Sequence, residues 1–201
     1  MKKLKQKAEN GDVESQWEIT NYYWDEDDEK KMHEAVKWLK IAANNGHPEA
    51  QYILVCIYNN GEVIKKDQNE AFKWFKLSAE QGNFDAQYSL GTIYSLGIGV
   101  NRDYNLAFKW FMQAANANHM NALCAVGDCY FSGNGVSKND TQAFIYWRRS
   151  AKLGNPDAMF RLGDCYRFGW GIEENITSAI EWYSLAAENG SEDARQALKK
   201  L

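Results

Sequence analysis

Residues 86–121 read AQYSLGTIYSLGIGVNRDYNLAFKWFMQAANANHMN, and the fold follows from how this stretch is divided. Ala86, Leu90, Gly91 and Tyr94 fall at offsets of zero, four, five and eight, the spacing of one buried stripe on a helix. After the GIGV turn, Asp103 is placed to cap a second helix that carries Ala107, Trp110 and the Ala114-Ala115 pair. The glycines in SLGIGVNRD (95–103) raise the question of a phosphate cradle, because bare backbone N–H groups at a helix start favour an anion. The dinucleotide fingerprint needs a preceding strand and a third glycine where this chain has Arg102. The turn also recurs, as GNGV and GWGI further along. Its glycines are therefore read as backbone freedom for a turn between two helices.

Working outward, the pattern repeats. Small residues open an apolar run at Ser15, Ala50, Ala86, Ala122, Ala158 and Ala194, spaced first by 35 and then by 36 residues. Tyrosines recur eight later, at 23, 58, 94, 130 and 166, and alanines at 35, 71, 107, 143 and 179. An aromatic column follows at Trp38, Trp74, Trp110, Tyr146 and Trp182. Glycines at 46, 82, 154 and 190 end the unit in a left-handed cap, with Asn118 in that place once. Asp12, Asn83, Asn155 and Ser191 are expected to cap the first helices (A), and Asp67, Asp103, Asn139 and Asn175 the second (B). The only prolines, Pro48 and Pro156, sit where a missing N–H costs nothing. Strand patterns are absent.

With the alanine anchor, Leu90-Gly91, Tyr94, Gly-x-Gly-Val, Ala107, Trp110 and Ala114-Ala115 in register, the unit resembles a Sel1-like repeat, a relative of the tetratricopeptide repeat. The resemblance implies an all-α chain, an α/α solenoid in which helix-turn-helix Sel1-like repeats wind into a right-handed superhelix with A helices on the concave side. Units fall at 12–46, 47–82, 83–118, 119–154 and 155–190 of a single domain spanning 1–201. Residues 1–11 resemble the last helix of a preceding unit and 191–201 a capping first helix. The first unit departs most, with acidic DEDDE in place of its glycine turn, and the second has Val63 where later units have glycine. The family likeness implies a non-catalytic module that holds another protein or peptide along its groove, as adaptor, scaffold or regulator. An inhibitor or immunity protein directed at a toxin or enzyme is the alternative.

Helix A positions two, six, nine and ten after the anchor lie off the buried stripe and are expected to face that groove. They supply Trp17, Asn21 and Trp24; Tyr52, Asn59; Tyr88; Asp128, Phe131; and Phe160, Asp164, Arg167, Phe168, to which Trp170 in the last glycine turn is added. Aromatics among amides and charges suit anchoring of peptide side chains. Trp17, Tyr52, Tyr88 and Phe160 equally suit packing against the next repeat. Asp128 and Asp164 share a column and are expected to project side by side, to hold a partner's lysine or arginine, with Arg161 and Arg167 placed to receive an acid. A hydrolytic or ligand-binding site at Asp128, Asp164 and Arg167 is the rival of another class.

Composition narrows the rest. A net charge of −4 gives no general attraction to nucleic acid or anionic lipid. No run of about 20 apolar residues is present to span a membrane, and MKKLKQK leads into polar sequence rather than a leader's apolar core. The chain reads as cytoplasmic. Cys129 and Cys165 occupy the column held by Ile57 and Ile93, as small core residues rather than disulfide or metal partners. No GxSxG, HExxH or P-loop appears, so no catalytic residue, metal or cofactor is expected.

Overall fold

The protein is described by a computed structural model at residues 1–25, 28–61 and 63–201. The divergent turns expected in the first two units fall partly outside these residues, at Glu26, Asp27 and Glu62. Among the described residues the chain is all-helical, without strands. In order the helices are α1 (Lys2–Glu9), α2 (Val13–Tyr23), α3 (Glu29–Asn44), α4 (Pro48–Asn60), α5 (Gln68–Glu80) and α6 (Phe84–Leu96). They continue as α7 (Tyr104–Asn116), α8 (Met120–Ser132), α9 (Asp140–Lys152), α10 (Pro156–Phe168), α11 (Ile176–Glu188) and α12 (Glu192–Leu198). Two compact units divide within α6, residues 1–90 and 91–201.

Local chemistry sets the helix ends. Asp12, Asn83, Asn155 and Ser191 accept N–H bonds from residues three further on, as do His47 and His119 through Nδ1. Asp67, Asp103, Asn139 and Asn175 do the same at the B helices. Pro48 and Pro156 open α4 and α10. The B helices end at positive-φ Gly46, Gly82, Gly154 and Gly190, and at Asn118 with φ 61°. These caps matter because a helix terminus leaves N–H and C=O groups without intrahelical partners.

In the first unit α2 packs on α3 and α4 on α5, and these hairpins are joined through α3 against α4. In the second, α8 pairs with α9 and α10 with α11, stacked through α7 on α8 and α9 on α10. The helix B alanines 35, 71, 107, 143 and 179 are buried, permitting close helix approach. Side chains tie A helices back to the preceding B helix: Gln16, Gln51 and Gln87 donate to the carbonyls of Ala8, Ala43 and Ala79 at 3.0, 3.0 and 3.1 Å. Those carbonyls lie in the last helical turn, where acceptors are otherwise left over.

The deepest helix B column is one residue beyond the expected aromatic one. Trp147 and Tyr183 are fully buried, and Phe111 nearly so, whereas Tyr146 and Trp182 are only half-buried. This explains the glycine five after the anchor. A Cβ on Gly127 would lie 2.5 Å from the Trp147 ring, and one on Gly163 2.4 Å from Tyr183. Glycine lets the large ring lie directly on the facing helix. Cys129 and Cys165 are buried free thiols, as their column implied.

Candidate functional site

The second unit, residues 91–201, holds seven of the thirteen expected residues, six of them on the A helices α8 and α10. Asp128, on α8, lies one turn before the end of its helix and accepts a bond from Trp147 Nε1 at 3.2 Å. Arg161, on α10, approaches the same carboxylate oxygen at 3.5 Å. Asp164 occupies the corresponding position on α10, but only 9% of it is exposed, and Tyr183 donates its hydroxyl to the carboxylate at 2.7 Å. Burial pushes the Asp164 carboxyl above its ordinary value, against the pull of the Tyr183 hydroxyl, Arg161 and Arg167. Burial and the facing carboxylate likewise push the Tyr183 phenol up.

These contacts revise the reading of the two aspartates. Each serves the buried aromatic of its own hairpin, 19 residues later, and Asp164 is turned inward rather than presented to a partner. The residue types match this pairing. In the other units the residue six after the anchor is Asn21, Cys56 or Thr92, opposite Leu39, Phe75 or Phe111, none of which has a side-chain donor. Aspartate stands only where the aromatic carries an N–H or O–H.

A row of rings forms the outward part of the same unit. Phe131, on α8, lies 4.6 Å from Trp170 between ring centroids, and Trp170 stacks on Phe168 at 5.2 Å. Cations sit at both ends, Lys138 at 5.2 Å from the Phe131 ring and Arg167 at 5.0 Å from Phe168. Beneath the row Phe131 meets buried Trp147 at 5.5 Å. Trp170 is therefore half-buried between two rings, whereas Phe168 is 48% exposed. The glycine turn holds Trp170 there. A Cβ on Gly171 would fall 2.2 Å from the Asp140 carbonyl oxygen, so only glycine admits this approach of the loop to the start of α9.

Phe160 packs on Tyr183 at 5.6 Å, and Tyr52 meets Phe75 edge-on at 6.4 Å. Trp17 stacks on the buried His47 ring at 4.8 Å. Tyr88 is half-buried, while Asn21 and Asn59 are exposed. Trp24 lines a depression in the first unit with Met32, Ile53, Cys56 and Ile57. The structure thus joins Phe131, Arg167, Phe168 and Trp170 in one surface, with Asp128 beside it, and places Trp17, Tyr52 and Phe160 in packing contacts. Lys138 and the Trp147 and Tyr183 donors were not foreseen.

At each helix start after a Gly-x-Gly turn, one N–H group is engaged by the side-chain cap. Asn139 and Asn175 accept from Gln142 and Ser178, and Asp103 from Leu106. Among the described residues, no three His, Cys, Asp or Glu side chains gather to hold a metal ion, and no helix is long and apolar enough to cross a membrane.

The helical hairpins and their register find counterparts in known proteins. The Sel1 repeat model matches residues 22–47, 48–83, 84–119, 121–155 and 156–191, and the chain belongs to the Sel1 repeat family. A Sel1 repeat protein from Oxalobacter formigenes is 35% identical over 90% of this chain and 75% of its own, with a TM-score of 0.78. The protective antigen c5321 of uropathogenic Escherichia coli, which displays an SLR fold, is 32% identical over 96% of this chain, with a TM-score of 0.75. The present chain covers 49% of that antigen. The immunity protein PA5088 from Pseudomonas aeruginosa shares the fold at 22% identity, covering 90% of this chain and 66% of its own, with a TM-score of 0.54. No curated protein matches the chain. Sel1 repeats are protein-interaction modules, typically without catalysis.

Proposed function

We propose that this protein binds another polypeptide on the A-helix side of its repeats, as a non-catalytic adaptor, scaffold or regulator, with the second unit supplying the principal anchor. The observation that carries this reading is the ring row of Phe131, Trp170 and Phe168, which ends in a half-exposed phenylalanine. A large ring left at the surface beside a rigid, buried support is the kind of residue that dominates protein interfaces, because it adds apolar contact at little entropic cost. Trp147 supplies the support, since Phe131 rests on it. The rival hydrolytic reading requires Asp128 and Asp164 as a working carboxylate pair, and both serve structural donors, Trp147 Nε1 and the Tyr183 hydroxyl. Within the first unit Asn21, Trp24, Asn59 and Tyr88 are assigned secondary contributions of their own. Trp17, Tyr52 and Phe160 act by packing on His47, Phe75 and Tyr183.

The test is capture of partners from lysate by wild type beside a Phe168→Ala, Trp170→Ala variant of unchanged helicity and melting cooperativity. One protein held by wild type and reduced at least tenfold on the variant is the expected result. Equal capture by both removes the row from the interface.

A further inference from the structure

We propose that the ring row selects acidic peptides, in which an aromatic or aliphatic side chain stands next to a carboxylate. This rests on the polypeptide-binding reading above and adds the chemistry of the partner. In sequence the face looks suited to a basic partner, because two aspartates share its column. In the fold those aspartates are spoken for. Asp164 is buried on Tyr183, and Asp128 accepts from Trp147 and pairs with Arg161. A lysine arriving from a partner would have to displace the Tyr183 hydroxyl from buried Asp164, and at Asp128 it would meet a carboxylate whose charge Arg161 already offsets.

The cations are arranged differently. Arg167 lies on the face of Phe168, the most exposed ring of the row, and among the described residues no carboxylate stands within 4.0 Å of it. Lys138, at the other end, is paired with Asp140 at 3.5 Å, so of the two cations flanking the row Arg167 is the one outside an ion pair, although it also bonds the Tyr183 hydroxyl and feels the buried Asp164 carboxylate. A guanidinium stacked on a ring spends its flat face there and keeps N–H groups at its edge for a planar acceptor. An incoming apolar side chain on Phe168 and Trp170 would bring its neighbouring residue to that edge. A carboxylate there gains a charge-assisted hydrogen bond, and an ammonium meets like charge.

The experiment uses the full chain and three blocked octapeptides in a Gly-Ser host, with cores Asp-Phe-Glu, Lys-Phe-Lys and Asp-Ala-Glu. Titrations are followed by the NMR cross-peaks of the Trp170 indole and the Arg167 side chain. The Asp-Phe-Glu peptide is expected to shift both saturably and to bind at least tenfold more tightly than either other peptide. Arg167→Gln, with helicity unchanged, is expected to abolish the preference over Lys-Phe-Lys while leaving the preference over Asp-Ala-Glu. Equal or tighter binding of Lys-Phe-Lys overturns the proposed charge selectivity alone, as does a preference that survives Arg167→Gln. Absence of any shift at Trp170 with all three peptides overturns both this inference and the assignment of the row as a peptide site.

Discussion

Tyr183 and Trp147 each do two things at once: they fill the space that a glycine leaves on the facing helix, and they hand a polar hydrogen to an aspartate. The steric half predicts that Gly127→Ala, by driving a methyl into the Trp147 ring, lowers stability by about 1–3 kcal/mol in urea unfolding. The polar half concerns Asp164. Because burial raises its folded-state value above that of the unfolded chain, the folded state holds the proton more tightly. Its contribution to stability is therefore fully present below the unfolded value and is lost as pH rises through the folded one. Asp164→Asn keeps an acceptor for Tyr183 and removes the charge. The variant's stability relative to wild type is accordingly expected to rise between pH 3 and pH 7, as read by parallel urea titrations. Tyr183→Phe strands the carboxylate instead and is expected to cost about 1–3 kcal/mol at pH 7. The thiols follow the same logic, since burial pushes Cys129 and Cys165 up to about 12. At pH 8 iodoacetamide should modify exposed Cys56 and spare the three buried cysteines until urea is added, as peptide mass mapping would record.

At the scale of the element, a hairpin is specified by its ends as much as by its stripe. Side-chain caps open the A and B helices, and in the α8–α9 and α10–α11 hairpins the glycine turn also lies against the hairpin before it. Two positive-φ glycines separate these requirements. Gly154, where an added Cβ meets nothing within 4 Å, needs only its left-handed backbone; Gly171 needs that backbone and the space next to the Asp140 carbonyl. Gly171→Ala should therefore lower the melting temperature more than Gly154→Ala, and should disturb Trp170 as well. Tryptophan fluorescence in a Gly171→Ala variant checks the second effect. The caps were legible in the sequence, because Asp, Asn and Ser carry their partner's position with them three residues away. The close approach of loop to helix was not, since two glycines of equal appearance answer to different neighbours.

At the scale of the molecule, each hairpin buries its stripe only against its neighbours, so stability is distributed along the chain rather than stored in one core. A cavity made in one hairpin should then be felt locally. Trp147→Ala is expected to accelerate amide exchange most in α8 and α9, less in α10, and least in α12. A uniform acceleration throughout the second unit would show instead that it opens all at once. Function follows the same distribution: a repeat chain offers a surface, and its binding chemistry depends on which side chains the stacking leaves outside.

The sequence alone determined the period, the two helices of each repeat, most of their caps (not Asp28 at α3) and the family, because each of these depends on residues a few positions apart in the chain. It also placed Phe131, Arg167 and Phe168 in neighbouring columns. The fate of Asp128 and Asp164 was decided by the tertiary structure. Position six after the anchor lies at the edge of the buried stripe, and only the packing of α9 on α8 and of α11 on α10 turns it toward a donor. The same holds for Trp170, which looks free in a glycine turn but is held between Phe131 and Phe168 by a loop lying on the preceding hairpin. Helical periodicity fixes the angle of a side chain about its own axis. What that side chain meets depends on a second axis, set by packing between residues distant in the chain.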